Sequence, residues 1–381
     1  MDFVAYAKEL DKNYGSYRVE SFPSRRFTPD ALHRIIDAFA AGSSSLFNIR
    51  NVGQSFEERP LRLVSVGSGP TQVLLWSQMH GDESTATMAI ADILNYFRLA
   101  GGEAVVKDLL AKFMIHFLPM LNPDGAARFQ RRTAQGIDMN RDALALQTPE
   151  AALLKQLKDT IKPAYGFNLH DQALSTVGTT RELTAIALLA PAFDPGKTDN
   201  EVRIRAKQVA SVFAAILKQT GQNRVARYDD AFEPRAFGDN MQKWGTSTVL
   251  VESGHTIGDP EKDSIRKLNV IGILGSLFAI GSGESTGWDT SHYEHLPFNG
   301  SKAYDLIIRN VRIAHADGRF TSADLGVSYQ VDTHSESTPL LVDVGDLHTY
   351  TGVREIDGLQ KEVPVGEVNL GKSFEWTARF S

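Results

Sequence analysis

The chain has 381 residues, 42% of them hydrophobic and 23% charged, with a formal net charge of −6. These proportions suit a globular protein with room for one large domain or two ordinary ones, and they indicate neither disorder nor a fibre. There is no general basic field, so nucleic acid and anionic membrane are not expected as partners. There is also no cysteine, which excludes a disulfide scaffold and thiolate metal sites and leaves His, Asp and Glu as the strong ligands.

The opening stretch MDFVAYAKELDKNYGSYRVE carries charges throughout and has no apolar core, so no secretory signal is expected. No run approaches the ~18 apolar residues of a membrane span, and a cytoplasmic location is the expectation. Residues 62–66 and 72–78 are short apolar runs separated by the turn signal SGPT, and they read as paired strands. Apolar residues Met88, Ile90, Ile93, Leu94, Phe97 and Leu99 approximate helical spacing, and Gly101-Gly102 ends that helix. FMIHFLPML (113–121) reads as a buried strand. Thr148-Pro149-Glu150 supplies an N-cap, a proline at N1 and a first-turn acid for a helix to about Ile161. Strands are predicted at 165–170, 183–190 and 247–253, and helices at 201–219 and 260–280.

Strands alternating with helices over about 280 residues imply an α/β sheet with helices on both faces. Ligands in such sheets sit beyond the carboxyl ends of strands. The pattern then changes. Residues 281–301 are rich in Gly, Ser and polar side chains, with a linker at about 286–299. Short β-type runs follow, giving a small C-terminal all-β domain at 300–381 after a first domain at 1–285. Its YDLIIRNVRIAHADGR resembles the opening strands of metal-dependent amidohydrolases over about 16 residues, but no barrel follows, so it is read as a common strand–turn pattern.

Four motifs stand at or just past predicted strand ends. His80-Gly81-Asp82-Glu83 closes the strand in LLWSQMHGDESTATMAI, so His80 and Glu83 can turn toward one point. Taken alone this spacing is also that of a capped helix start. His170, in FNLHDQ, ends another strand and offers a third ligand, and catalytic zinc takes three N/O ligands and keeps a position for water. Asp171 beside it is either an acid supporting the ligand or a turn residue. In LNPDGAARFQRRTAQGIDMNRD a turn precedes Arg128, Arg131, Arg132 and Arg141. Arg128 and Arg132 read as a solvated basic loop, whereas the pair Asn140-Arg141 is shaped to hold a carboxylate. Glu252, in TVLVESG, ends an apolar strand where an unpaired charge is costly. It is a turn acid or, beside a metal-bound water, a general base.

In this order the motifs resemble the carboxypeptidase A-like zinc metallocarboxypeptidases, over roughly residues 20–285. The resemblance implies a mixed central β-sheet with helices on both faces and one Zn2+ held by His80, Glu83 and His170. It implies Glu252 as general base, Arg131 as the oxyanion-stabilising arginine, and Asn140 with Arg141 gripping the terminal carboxylate of a peptide. Tyr228, the only tyrosine between His170 and Glu252, is the candidate for the family's mobile substrate-binding tyrosine. Two residues after His170 the chain has Gln172 where the animal enzymes have an aromatic, so local substrate contacts should differ. The charged segment 228–244, with Asp229, Asp230, Glu233, Arg235 and Asp239, should line the specificity pocket. An alternative is the aspartoacylase and succinylglutamate desuccinylase group, which would act on N-acyl amino acids. The acid usual there before the Leu-His ligand is replaced by Asn168, and NPDG with GIDMNRD favours the peptidase. A third alternative is a carboxypeptidase-like binding module without chemistry, although the ligands and the glutamate are all present.

Overall fold

The computed structural model describes residues 1–22, 24–42, 46–331, 337–358 and 361–375. The expected β domain's residues 332–336, 359–360 and 376–381 lie outside them. Two helices come first, α1 (Phe3–Tyr17) and α2 (Pro29–Gly42). Asp2 opens α1 by accepting the Ala5 N–H at 2.7 Å, and Phe3, Tyr6, Leu10, Tyr14 and Tyr17 form its buried stripe at helical spacing. Then come β1 (Phe47–Gln54), β2 (Pro60–Gly67), β3 (Thr71–Ser77), α3 (Thr85–Ala100), α4 (Ala104–Lys112) and β4 (Phe113–Leu118). After α5 (Pro123–Arg128), α6 (Pro149–Ile161) and β5 (Tyr165–Asp171) follow β6 (Thr176–Val177), β7 (Ile186–Leu189) and α7 (Glu201–Gln219). β8 (Val225–Arg227), α8 (Phe237–Lys243), β9 (Ser247–Ser253), α9 (Asp263–Ser282) and α10 (Ser291–Glu294) complete this part.

The main sheet has the order β1-β2-β4-β3-β5-β9-β7-β8. The pairs β4–β3, β3–β5, β5–β9 and β7–β8 are parallel, and the rest are antiparallel, so the sheet is mixed as the resemblance implied. β2 and β3 are not paired with each other, contrary to the expectation, because β4 lies between them. Glycine at 69 makes this possible: a Cβ there would stand 2.0 Å from the Lys112 carbonyl carbon, where the chain enters β4. The tight turn therefore splays two strands around a third instead of closing a hairpin. α6 begins as its sequence dictates, with Thr148 Oγ1 accepting the Ala151 N–H at 3.2 Å and proline in the first turn.

Alternation along β3 divides the core in two. Val73 and Leu75 enter a cluster with residues of α1, α3, α7 and α9, while Leu74 and Trp76 enter one with α6 and α8. α9 is long and apolar enough to cross a bilayer by length and composition, which the sequence reading did not anticipate, yet 72% of its apolar window is buried within the protein. It is the central core helix, packed on α1, α3 and α7. Its Arg266 is buried against Asp92 of α3, with Nε–Oδ2 at 2.7 Å and Nη2–Oδ1 at 2.5 Å. Tyr14 and the Val19 N–H also donate to Asp92, and the Val19 carbonyl accepts from Arg266, so this buried pair is closely surrounded by partners.

The chain forms two units. The first comprises Met1–Gln172, Ala185–Ser253 and Glu261–Pro297, and the second Ala173–Thr184, Gly254–Pro260 and Phe298–Ser381. The first thus runs on through the stretch expected as a linker, where Tyr293 of α10 is buried and accepts the Ala190 N–H at 3.0 Å. In the second, β10 (Asn299–Gly300) pairs with β6. β11 (Ala303–Ala314), β12 (Phe320–Val331), β13 (Ser337–Gly345), β14 (Thr351–Asp357) and β15 (Glu362–Pro364) form its five-stranded sheet. Leu306, Ile308, Val311 and Ile313 of β11 all face its core. The switch from even to odd positions is caused by a β-bulge between Ile308 and Val311, where Asn310 takes a left-handed φ of 54°.

Candidate metal centre

His80 stands three residues beyond β3. Gln78 takes a left-handed φ of 51°, and its Nε2 donates to the Gly81 carbonyl at 2.8 Å, which closes the turn. Gly81 is required because the backbone of α5 passes against it: a Cβ would lie 2.0 Å from the Gly125 carbonyl carbon. Backbone packing on backbone thus links the glycines of HGDE and NPDG. Asn122 secures the second loop, its Oδ1 accepting from the Gly125 N–H and its Nδ2 donating to the Met79 carbonyl.

His80 and His170, each 2% exposed, and Glu83, 6% exposed, converge at the carboxyl ends of β3 and β5. The two Nδ1 atoms approach the two Glu83 oxygens, at 2.7 Å for His80 and 2.8 Å for His170. One ligand atom from each residue lies within 4.8 Å of the others. Glu252, the last residue but one of β9, is in direct register with His170, and its Oε2 is buried without a partner. Burial and the Glu83 charge push the Glu252 carboxyl up to about 8. Burial opposes the charge on His80, but Glu83 and Asp138 prevail and raise it to about 9. Burial lowers His170, against the pull of Glu83. Two imidazoles and one carboxylate match the donor set of a catalytic zinc, and three protein donors leave a position open. The His170 Nε2 and Glu252 Oε2, both buried and unpartnered, are the sort of atoms such a centre leaves for water or further groups. These residues fit zinc.

The remaining predicted residues fall around this cluster. Arg131 is half-buried and reaches Glu83 with Nη1 at 3.1 Å and Asp138 with Nη2 at 3.1 Å. Asn140 Oδ1 accepts the Phe237 N–H at 3.0 Å, which leaves the amino end to donate. Arg141 is exposed, donating to the Asn140 carbonyl at 2.8 Å with Glu233 3.4 Å from its Nε. Tyr228, 36% exposed, feels the charges of Glu252, Glu83, Arg131 and Arg141, and burial with the two glutamates raises its hydroxyl pKa.

Within 228–244 the charges mostly pair among themselves or with neighbours. Asp230 is buried among Lys197, Arg203 and Arg227. Glu233 holds Arg235, and Asp239, which burial raises to about 7, accepts the Glu233 N–H. Asp138 was missed by the sequence reading. Its Oδ1 lies 3.1 Å from His80 Nε2, opposite the atom that faces Glu83, so it orients the imidazole. The only signal was its place two residues before Asn140-Arg141. Asp171 ends β5 with its side chain buried, rather than lying in a turn, and accepts from Thr85 at 2.6 Å and from Lys262 at 3.2 Å.

Residues 32–186 match the zinc carboxypeptidase family. The matched segment takes in His80, Glu83 and His170. A carboxypeptidase relative, SOL1 of Arabidopsis thaliana, is 26% identical over 169 residues, 39% of this chain and 33% of that protein. The chain thus spans about a third of that relative's length, and about a fifth of that of the probable carboxypeptidase 2 of Trichophyton verrucosum, with which it is 31% identical over 113 residues, 29% of this chain and 21% of that protein. Among solved structures, a metallo-carboxypeptidase from Burkholderia cenocepacia shares the fold at a TM-score of 0.54 and 17% identity, over 68% of this chain and 70% of that one. A metallo-carboxypeptidase from Pseudomonas aeruginosa, in complex with (2-guanidinoethylmercapto)succinic acid, does so at 0.51 and 16% identity, over 66% and 70%. The chain therefore shares the α/β fold of these metallo-carboxypeptidases, and its second unit has an all-β sheet.

Proposed function

We propose that the chain is a zinc-dependent metallocarboxypeptidase that hydrolyses the C-terminal residue of peptides. The observation that carries this reading is the register of His170 with Glu252, which sets a buried, unpartnered carboxylate oxygen beside the two-imidazole, one-carboxylate cluster. His80, Glu83 and His170 would hold the metal, and zinc bound there supplies Lewis-acid polarisation of a carbonyl and a water that ionises near neutral pH. Glu252 accepts the proton of the attacking water at Oε2 and delivers it to the departing amine. Arg131 offsets negative charge developing on the scissile carbonyl oxygen. Asp138 keeps His80 in one orientation.

The Asn140 amino group and the Arg141 guanidinium bind the terminal carboxylate, so an internal peptide bond leaves them without a partner. Before substrate arrives, Glu233 partly neutralises Arg141. Tyr228 borders the bound residue. The carboxylate-bearing ligand of the Pseudomonas aeruginosa relative supports the same class of substrate group.

The test is zinc content together with release of C-terminal residues from a mixed peptide pool, for the wild type and Glu252→Gln. One zinc per chain with release abolished in the variant is the expected result. Zinc without peptide cleavage, but with hydrolysis of N-acyl amino acids, would move the assignment to the aspartoacylase-like hydrolases.

A further inference from the structure

Beyond His170 and Glu252, the parallel strands β5 and β9 each continue by one residue, Asp171 opposite Ser253. The chain then leaves the first unit at both places, after Gln172 and after Ser253, and returns at Glu261. Lys262, the second residue after that return, takes a left-handed φ of 56° and is 2% exposed. Its Nζ lies 3.2 Å from Asp171 Oδ2 and 3.3 Å from the Ser253 carbonyl oxygen.

Asp171 gathers more than this lysine. Its Oδ2 accepts from Thr85 Oγ1 at 2.6 Å, with the Arg25 guanidinium 3.6 Å away. Its backbone N–H donates to Glu83 Oε2 at 3.2 Å. One residue, its side chain buried, thereby touches the segment carrying Glu83, the strand carrying His170 and, through Lys262, the strand carrying Glu252. An ammonium is well suited to this junction, since it is compact and offers three donors to acceptors on different elements.

We propose that Lys262 is a positioning residue of the metal centre, fastening the ends of β5 and β9 through Asp171 so that His170, Glu83 and Glu252 keep a fixed spacing. The proposal rests on the zinc reading above. The direction of one effect separates positioning from simple charge. A cation near the centre repels a divalent metal, so if Lys262 acted only through its charge, its removal would tighten zinc. If it positions the ligands, its removal loosens zinc.

The experiment measures zinc dissociation constants by competition with a chromophoric chelator, in the full chain, for wild type, Lys262→Met, Asp171→Asn and the double variant. Circular dichroism of the zinc-free proteins checks that each is folded. Each single change is expected to weaken zinc by about 10–100-fold, the usual effect of losing a residue that supports a ligand. The double variant should be no weaker than the worse single one, because the two residues act as a unit. A folded Lys262→Met with unchanged or tighter zinc binding overturns the proposal. If that variant does not fold, Lys262→Gln, which also removes the charge, decides in its place: weaker zinc supports the proposal and unchanged or tighter zinc overturns it. A wild type that binds no zinc overturns the metal-centre reading, and this proposal with it.

Discussion

Each unit is pinned by an arginine, and the two are used differently. Arg266 joins segments that are distant in sequence, taking both oxygens of Asp92 and the Val19 carbonyl, and it is 1% exposed. Arg309 works within one sheet. It donates to Asp324 at 3.0 Å, to Glu355 at 3.0 Å and to the Leu347 and Tyr350 carbonyls from the bulge of β11. The first unit spends its arginine on the helical layer and leaves polar atoms of His170 and Glu252 without partners at the strand ends. Among the described residues, the one His/Asp/Glu cluster spaced for a metal is in that unit. Unspent polar atoms and such a cluster coincide in the first unit. In the β unit the arginine is consumed in holding the sheet.

The largest effect should come from that unspent atom. Glu252→Gln is expected to lower kcat/KM on a peptide substrate by about 10²–10⁴-fold while zinc content stays at the wild-type level. Loss of zinc together with activity would mean that Glu252 serves as a ligand. Next comes Arg266→Met, which strands Asp92 as a buried charge and should cost about 3–5 kcal/mol in denaturant unfolding. The double change Arg266→Met with Asp92→Leu should recover most of it, and a double variant as unstable as the single would break the account of the helical layer.

Arg309→Met should cost about 2–3 kcal/mol, read as earlier unfolding of the β unit, with kcat and KM unchanged below that transition. A fall in kcat in folded protein would show that the β unit does more than hold itself together. The smallest effect concerns His116, bonded to Ser65 Oγ at 2.8 Å and Gln72 Oε1 at 2.9 Å. Burial, with the Arg50 charge, lowers its pKa from 6.5 to about 4. The unfolded chain therefore binds the proton first, and stability present above pH 6.5 is lost as pH falls toward 4. His116→Gln should flatten that slope by about 1 kcal/mol, measured by urea midpoints across the range.

The cluster of His80, Glu83 and His170 was legible because apolar runs stop on His80, His170 and Glu252 at or just past strand ends. The start of α6 was legible because Thr148, Pro149 and Glu150 specify it locally. Strand order was not, since an apolar run reports burial but not its neighbour, and β4 intervenes between β2 and β3. Asp138 and Lys262 were not, because an acid or a lysine at the surface and one in contact with a ligand's support read alike in sequence. Nor does composition reveal that 173–184 and 254–260 belong with residues beyond 298.

That interleaving has a consequence for synthesis. Thr176-Val177 find their strand partners in Asn299-Gly300. On the ribosome, the β6 segment waits while roughly 120 further residues are added, about 6–25 s at ordinary elongation rates. Throughout that interval its pairing with Asn299-Gly300 is absent, and it has only local bonds such as that from the Val177 N–H to the Glu182 carbonyl at 2.9 Å. The β6–β10 pairing of the second unit is therefore completed only after the last residue of the first unit, Pro297, has been added.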